Sequence, residues 1–223
     1  MNVTITFSQF HFAPAERFWA LRQMGTFGNA LRDVGGLRFW RLLGTGKRFG
    51  GVEPDFGRYA LLTVWESEAH ARRARVEHSA IGRYGLKAER IVTHRLATLR
   101  ATGSWDGDTP FRGGEQAPAG CRIAVLTRAT VRISRQLAFW RHAAPVDAEI
   151  AAAPGLIEAV SIGELPILRS GTFSIWRDAA AIAAFVERPA HRLAMRARSQ
   201  KGFYREELFA RFAVLSSELE TVT

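Results

Sequence analysis

The segments Leu62-Thr63-Val64-Trp65 and Phe173-Ser174-Ile175-Trp176 decide how the whole chain is read. Each is a short β-rich run closed by tryptophan, and the two tryptophans stand 111 residues apart. Other pairs fall in the same order around them. Phe18-Trp19 matches Phe139-Trp140 at an offset of 121. Gly36-Leu37 matches Gly155-Leu156, and Gly44 matches Gly163, both at 119. Leu99, closing Ala-Thr-Leu, matches Leu215, closing Ala-Val-Leu, at 116. A slowly drifting offset is what loop insertions and deletions leave behind. The chain therefore reads as a duplication of a unit of about 100 residues rather than as a solenoid.

Each copy predicts strand, helix, strand, strand, helix, strand. In the first, Val3–Phe10 alternates and is β-rich. Pro14 opens a helix through Phe18, Trp19, Leu21 and Arg22. Leu37–Leu43 and Tyr59–Trp65 are strands, Ser67 caps a helix carrying Arg72, Arg73 and Arg75, and Ile91–Leu99 closes the unit. In the second, Ile123–Val131 is a strand. Ser134 caps a helix through Phe139 and Trp140 that Pro145 breaks. Leu156–Ile162 and Arg169–Trp176 are the middle strands. Asp178 caps an alanine-rich helix to Val186, Pro189 opens a further run to about Gln200, and Leu208–Leu215 ends the unit. Such a unit predicts a four-stranded antiparallel sheet with two helices on one face. The expected class is α+β: two ferredoxin-like units fused in one chain, of the dimeric α/β-barrel kind. The expected boundaries are 1–102, a linker at 103–120, and 121–223. The linker carries Asp106, Gly107, Asp108, Pro110, Gly113, Gly114 and Pro118, with Trp105 and Phe111 expected to pin it to the body.

Composition narrows the function. Apolar residues at 47% and charged residues at 23% describe a folded chain, not a disordered one. No run of apolar residues reaches membrane-spanning length. Met1–Phe12 lacks a basic region followed by an apolar run, so no secretion signal is expected and the cytoplasm is the default location. Cys121 is the single cysteine, which excludes a disulfide framework or a cysteine-rich metal site. The net charge of +10 would attract acidic proteins, anionic lipid or nucleic acid. Nucleic acid is not an expected partner, because no nucleic-acid-binding motif is present. Gly44-Thr-Gly-Lys-Arg-Phe-Gly-Gly51 fits neither a Rossmann fingerprint nor a P-loop, and it reads as a strand connection. A Gly-x-Ser-x-Gly elbow and a His-Glu-x-x-His pair are both absent.

The second half carries text that resembles the spheroidene monooxygenase family. Leu126-Thr-Arg-Ala-Thr-Val131, Phe139-Trp140, Gly163-Glu-Leu-Pro166 and Thr172-Phe-Ser-Ile-Trp176 come in order. His191 and Phe203-Tyr-Arg-Glu-Glu-Leu-Phe-Ala-Arg-Phe-Ala-Val-Leu215 follow. The first half agrees more loosely, through Phe18-Trp-Ala-Leu21, Phe39-Trp40, Trp65, Trp105-Asp-Gly107 and Pro110-Phe111. The family favours Trp where Phe203 stands and Tyr where Phe209 stands, departures that bear on the pocket. The resemblance implies oxygen insertion at carbon 2 of an acyclic carotenoid, giving hydroxy and then keto products. It implies haem b, molecular oxygen and a ferredoxin-type electron donor. It also implies the duplicated ferredoxin-like fold shared with aldoxime dehydratases, with haem in the C-terminal half. A lipophilic substrate and a basic surface together make contact with the inner face of a membrane a further expectation. Fused repeats often replace a dimer, so monomer and homodimer both stand. The rival readings are a haem enzyme of the same fold with dehydratase or oxidase chemistry on a nitrogen-containing metabolite, and a haem- or ligand-binding protein without turnover.

Under that resemblance His191 is the candidate iron ligand, against the alternative of a solvent-facing helix histidine. Arg188 and Arg192 flank it and would reach haem propionates, unless they simply form a solvated face. Arg128, charged on an apolar strand, needs a partner. A propionate or bound oxygen would serve, and Glu206 or Glu207 would serve equally. His142 is the candidate distal proton donor, or a plain polar helix position. Trp140, Trp176 and Phe203 are candidate cofactor-lining residues, or core. Cys121 is the weaker candidate for an axial ligand.

Overall fold

The computed structural model describes residues 3–49, 53–111, 113–114, 116–136, 138, 146, 149–165 and 169–222. The chain forms two compact units. The first holds residues 1–45, 55–97 and 214–223; the second holds 46–54 and 98–213. Both are built of antiparallel strands with helices, an α+β architecture.

The first unit runs β1 (Thr4–His11), a 3-10 turn at Pro14–Glu16, α1 (Arg17–Leu31), β2 (Leu37–Gly46), β3 (Pro54–Trp65), α2 (Glu68–Glu77), α3 (Ser79–Leu86) and β4 (Arg90–Gly103). Its strand order is β4-β1-β3-β2. Phe7 stands opposite Leu62 on one side and His94 on the other. Alternation gives the sheet two faces, as a period of two requires. One face carries Phe10, Tyr59, Leu61, Trp65 and Ile91, which pack under Ala20, Phe27 and Leu31 of α1, Ala74 of α2 and Tyr84 of α3. Phe10, Phe12, Trp19 and Phe27 surround the Tyr84 ring at 4.9–5.7 Å between centroids. Burial pushes the Tyr84 phenol well above its usual range, so it stays neutral. The Ser67 hydroxyl accepts from the His70 N–H, as the sequence suggests. The single helix expected after Ser67 is instead two. His78 takes an extended backbone (φ −85°, ψ 113°) between α2 and α3 and turns the chain without proline or glycine.

The second unit runs β5 (Ile123–Val131), a 3-10 turn at Ile133–Arg135, β6 (Leu156–Leu165), β7 (Arg169–Trp176), α4 (Ala179–Val186), α5 (Pro189–Lys201) and β8 (Tyr204–Thr221), whose residues from Val214 on count with the first unit. Its strand order is β6-β7-β5-β8, the same order as in the first unit read from the other edge. The helix expected through Phe139, Trp140 and Pro145 lies largely outside the described residues. Ser134 sits inside the 3-10 turn, whose N-cap is Arg132, and the helix it is expected to cap falls with the residues not described. The segment after β4 turns tightly at Asp106 and Gly107, both with positive φ, and Trp105 bridges Asp108. Trp105 and Phe111 are buried, and the Phe111 ring meets Phe212 edge-on at 5.0 Å, as expected of residues that pin this stretch. Among the described residues no helix is long and apolar enough to cross a membrane.

The two units share local detail at matched positions. Gly36 and Gly155 both take positive φ (76° and 83°), and each lies under the helix that follows its paired strand. A Cβ on Gly36 would sit 2.3 Å from the His70 ring, and one on Gly155 2.6 Å from Ala181 Cβ. The Gly36 carbonyl accepts from Glu66 N–H and the Gly155 carbonyl from Arg177 N–H, both at 2.8 Å. Trp65 donates its indole N–H to Thr63 and Trp176 donates to Ser174. Gly155→Ala therefore meets both a left-handed backbone and a clash, and is expected to cost about 3 kcal/mol in denaturant unfolding. Gly202→Ala, with positive φ but open space, is expected to cost about 1 kcal/mol.

Candidate functional site

The corner between α4 and α5 gathers several of the residues the sequence singles out. Asp178 starts α4 by accepting the Ala181 N–H at 2.8 Å. The helix ends at Val186, Arg188 is extended, and Pro189 opens α5, where its missing N–H costs nothing. Glu149 fills the N-terminus of α5: its carboxylate accepts from Ala190 N–H at 3.0 Å and His191 N–H at 3.3 Å. This places His191 in the first turn. Its ring lies 5.0 Å from that of Phe185, which lies 5.2 Å from the buried Trp176.

The histidine's protonation follows from its neighbours. Nδ1 stands 3.1 Å from the Val186 carbonyl, which can only accept, so Nδ1 carries the hydrogen. Burial lowers the His191 pKa, and the Val186 carbonyl, Glu149 and Glu187 oppose that fall without cancelling it. At neutral pH the ring is neutral, with its Nε2 lone pair unprotonated. A half-buried imidazole anchored through Nδ1 is the arrangement a metal-ligating histidine takes, and it fits an axial ligand of haem iron.

The other predicted residues divide. Trp176 is in this cluster, buried and bonded to Ser174. Arg188 is beside it, but its guanidinium donates to the carbonyls of Glu149 and Ala152, tying down the preceding segment. Arg192 is exposed and faces Glu187 at 3.7 Å. Phe203 is buried just before β8, next to Tyr204. Trp140 and His142 lie outside the described residues. Cys121 is half-buried, and no group of three or more His, Cys, Asp or Glu side chains could hold a metal among the described residues.

Arg128 belongs to a separate cluster. Its side chain is 2% exposed and meets three carboxylates: Glu206, Asp106 at 3.2 Å and Glu164 at 3.4 Å. Of the alternatives the sequence left open, the protein supplies Glu206. Glu206 also accepts from the Ser104 hydroxyl and from the N–H groups of Asp106 and Gly107. Burial alone would raise its carboxyl. The hydrogen bonds from Gly107, Ser104, Arg128 and Asp106 outweigh that and bring the pKa down to about 2.

A cleft of about 390 Å³ lies in the first unit between the sheet and α2 and α3. Hydroxyls of Thr4, Thr6, Ser8, Thr63 and Thr93 line the strand side, and Gly82 and Gly85 line the helix side. Sequence reasoning missed it, as it missed Glu149 and Phe185. Gly82 and Gly85, one turn apart on α3, were the available signal for the cleft. Nothing in the sequence marks Glu149, 42 residues from the histidine it serves.

No protein-family model matches the chain. It is 35% identical to the spheroidene monooxygenase of Rubrivivax gelatinosus over 207 residues, 92% of this chain and 80% of that one. It is 31% identical to the spheroidene monooxygenase of Rhodobacter capsulatus over 205 residues, covering 90% and 85%. Among solved structures, an aldoxime dehydratase in complex with butyraldoxime is similar with a TM-score of 0.64 at 14% identity, over 99% of this chain and 83% of that one. A second aldoxime dehydratase gives 0.56 at 11% identity, over 95% and 81%. At such identities the likeness is one of fold.

Glu206 also sets an acid sensitivity. A carboxyl held at about 2 against an ordinary 4.5 adds stability that is complete above about pH 4.5 and is lost as pH falls towards 2. Glu206→Gln is expected to flatten the acid limb of the stability–pH curve measured by urea unfolding. An unchanged limb would refute the assignment.

Proposed function

The chain belongs to the spheroidene monooxygenase family, and from that premise we propose that it is a haem-dependent monooxygenase acting on an acyclic carotenoid of the spheroidene type. The observation that carries the haem reading is His191, with Nδ1 committed to the Val186 carbonyl and Nε2 left as a donor. Haem b, once bound, supplies the iron centre at which molecular oxygen is activated. The overall change converts a C–H bond into C–OH. The second oxygen atom leaves as water, with two electrons from a ferredoxin-type donor and two protons. A second round at the same carbon gives a geminal diol, which loses water to the ketone.

The chain's own residues act around this chemistry. Glu149 and the Val186 carbonyl hold the His191 ring in one orientation and one tautomer. Phe185 and Trp176 pack one flank of that corner with apolar surface. Arg188 fixes the segment bearing Glu149, a positioning role. Arg128 is already neutralised by carboxylates, so its role is to anchor the turn at 103–108. The shared element and strand order of the two units further supports reading the chain as two fused ferredoxin-like copies.

The test is an absorption spectrum of the purified protein with haem added, followed by turnover of spheroidene with oxygen and reduced ferredoxin. A Soret band that weakens or shifts in His191→Ala, with product lost in that variant, is the expected result. A native chain that takes up no haem would sink the haem reading. A haem protein that leaves spheroidene unchanged would sink the substrate reading.

A further inference from the structure

Helices α1, α2 and α3 form one layer over the sheet of the first unit, since α3 packs against both α1 and α2. The inner side of the layer is spent on the core through Ala20, Phe27, Leu31, Ala74, Ile81 and Tyr84. Its outer side is unusual. Phe18 is 73% exposed, Leu21 43%, Val76 85% and Leu86 77%. Solvated helix faces normally carry polar groups at such positions.

Named contacts of neighbouring residues tie together the helix ends that carry two of these side chains. The Lys87 ammonium meets the Glu16 carboxylate at 2.8 Å and lies 5.1 Å from the centre of the Trp19 ring. That joins the end of α3, where Leu86 sits, to the start of α1, where Phe18 sits. Val76 and Leu86 also rim the mouth of the cleft beneath α2 and α3.

The charges on the layer point the same way. Arg17, Arg22, Arg73 and Arg83 are exposed, and none has an ion-pair partner among the described residues. Of the acids on these helices, Glu68 is paired with Arg72 and Arg95, which leaves Glu77 alone. Exposed apolar side chains interleaved with unpaired arginines are the composition of an interfacial surface. Apolar groups enter the acyl boundary while the arginines meet anionic headgroups.

We propose that the outer face of α1, α2 and α3 docks the protein on an anionic lipid bilayer, with Phe18, Leu21, Val76 and Leu86 as the inserted side chains. The proposal rests on the functional reading above for its purpose, since an acyclic carotenoid dissolves in the bilayer, and it extends that reading to the surface that meets the lipid. An acidic protein would satisfy the arginines but would leave no reason for four bare apolar side chains among them.

The experiment is co-sedimentation of the full chain with vesicles of phosphatidylcholine alone and of phosphatidylcholine mixed with phosphatidylglycerol, without haem or carotenoid. Binding to the mixed vesicles, weakened by salt, is expected. Phe18→Ser with Leu86→Ser should weaken it at least about tenfold. Arg22→Ala should weaken it about fivefold. All three substituted positions are exposed, so circular dichroism should match the native chain, and turnover of detergent-dispersed substrate should persist. Equal binding to neutral and mixed vesicles, or native-like binding by the double variant, would overturn the proposal. So would a self-association or a ferredoxin-dependent rate that the double variant loses while vesicle binding stays absent. Because the assay needs neither cofactor nor substrate, it can fail while the monooxygenase reading holds, and the reverse.

Discussion

The close approach of a strand start to a helix governs both units. Where Gly155 enters β6, the backbone takes a left-handed turn and passes beneath α4 at a distance that leaves no room for a Cβ. Its carbonyl is spent on Arg177, the residue before the Asp178 cap. The cap fixes where α4 begins, and eight residues later the helix presents the Val186 carbonyl to His191. The orientation of the imidazole is thus the end of a chain of short-range constraints that starts at one glycine. The first unit repeats the arrangement with Gly36, Glu66 and Ser67.

A second constraint is charge. A guanidinium as buried as that of Arg128 is costly unless its partners are close and themselves bonded. Glu206 meets this demand with four donors, and two of them are main-chain N–H groups of the turn at Asp106 and Gly107. The turn, the strand β5 and the strand β8 are therefore tied through one carboxylate. The sequence left Arg128 between a propionate or bound oxygen and the carboxylates of Glu206 or Glu207. The carboxylates that meet it in the fold give the charge a structural task. His191 shows the opposite case: Nδ1 makes the structural bond, and among the described residues Nε2 has no partner.

Local signals were legible where one residue type answers one local need. The tryptophan-closed strands, the Ser67 and Asp178 caps, the proline openings at Pro14 and Pro189 and the buried Trp105 and Phe111 all follow from nearest-neighbour chemistry. What escaped depends on register or distance. Glu206 and Glu207 are equivalent in the sequence. Only the pairing of Arg128 with Leu208 across β5 and β8 puts Glu206, two residues along, on the same face as the arginine. The break at His78 carries no proline or glycine to announce it. β8 runs from Tyr204 to Thr221, well beyond the expected Leu208–Leu215, because its flanks are polar and alternate weakly. Glu149 reaches the α5 N-terminus from far along the chain, so no spacing rule could mark it.

The two units also differ at matched positions. Carrying the 111-residue offset of the paired tryptophans from His191 lands on Ala80, in α3. The second unit therefore holds a nitrogen donor where the first holds a methyl group. A few residues on, the first unit has Gly82 and Gly85 facing an open cleft. The same offset gives Leu193 and Arg196 in the second. A Cβ at Gly82 or Gly85 would meet its nearest neighbour at 3.6 or 3.5 Å, ordinary contact, so packing alone does not demand glycine there. Bare helix faces where side chains would fit leave that space open. On strands taken in the same order, the second unit thus carries a nitrogen donor and the first an open cleft.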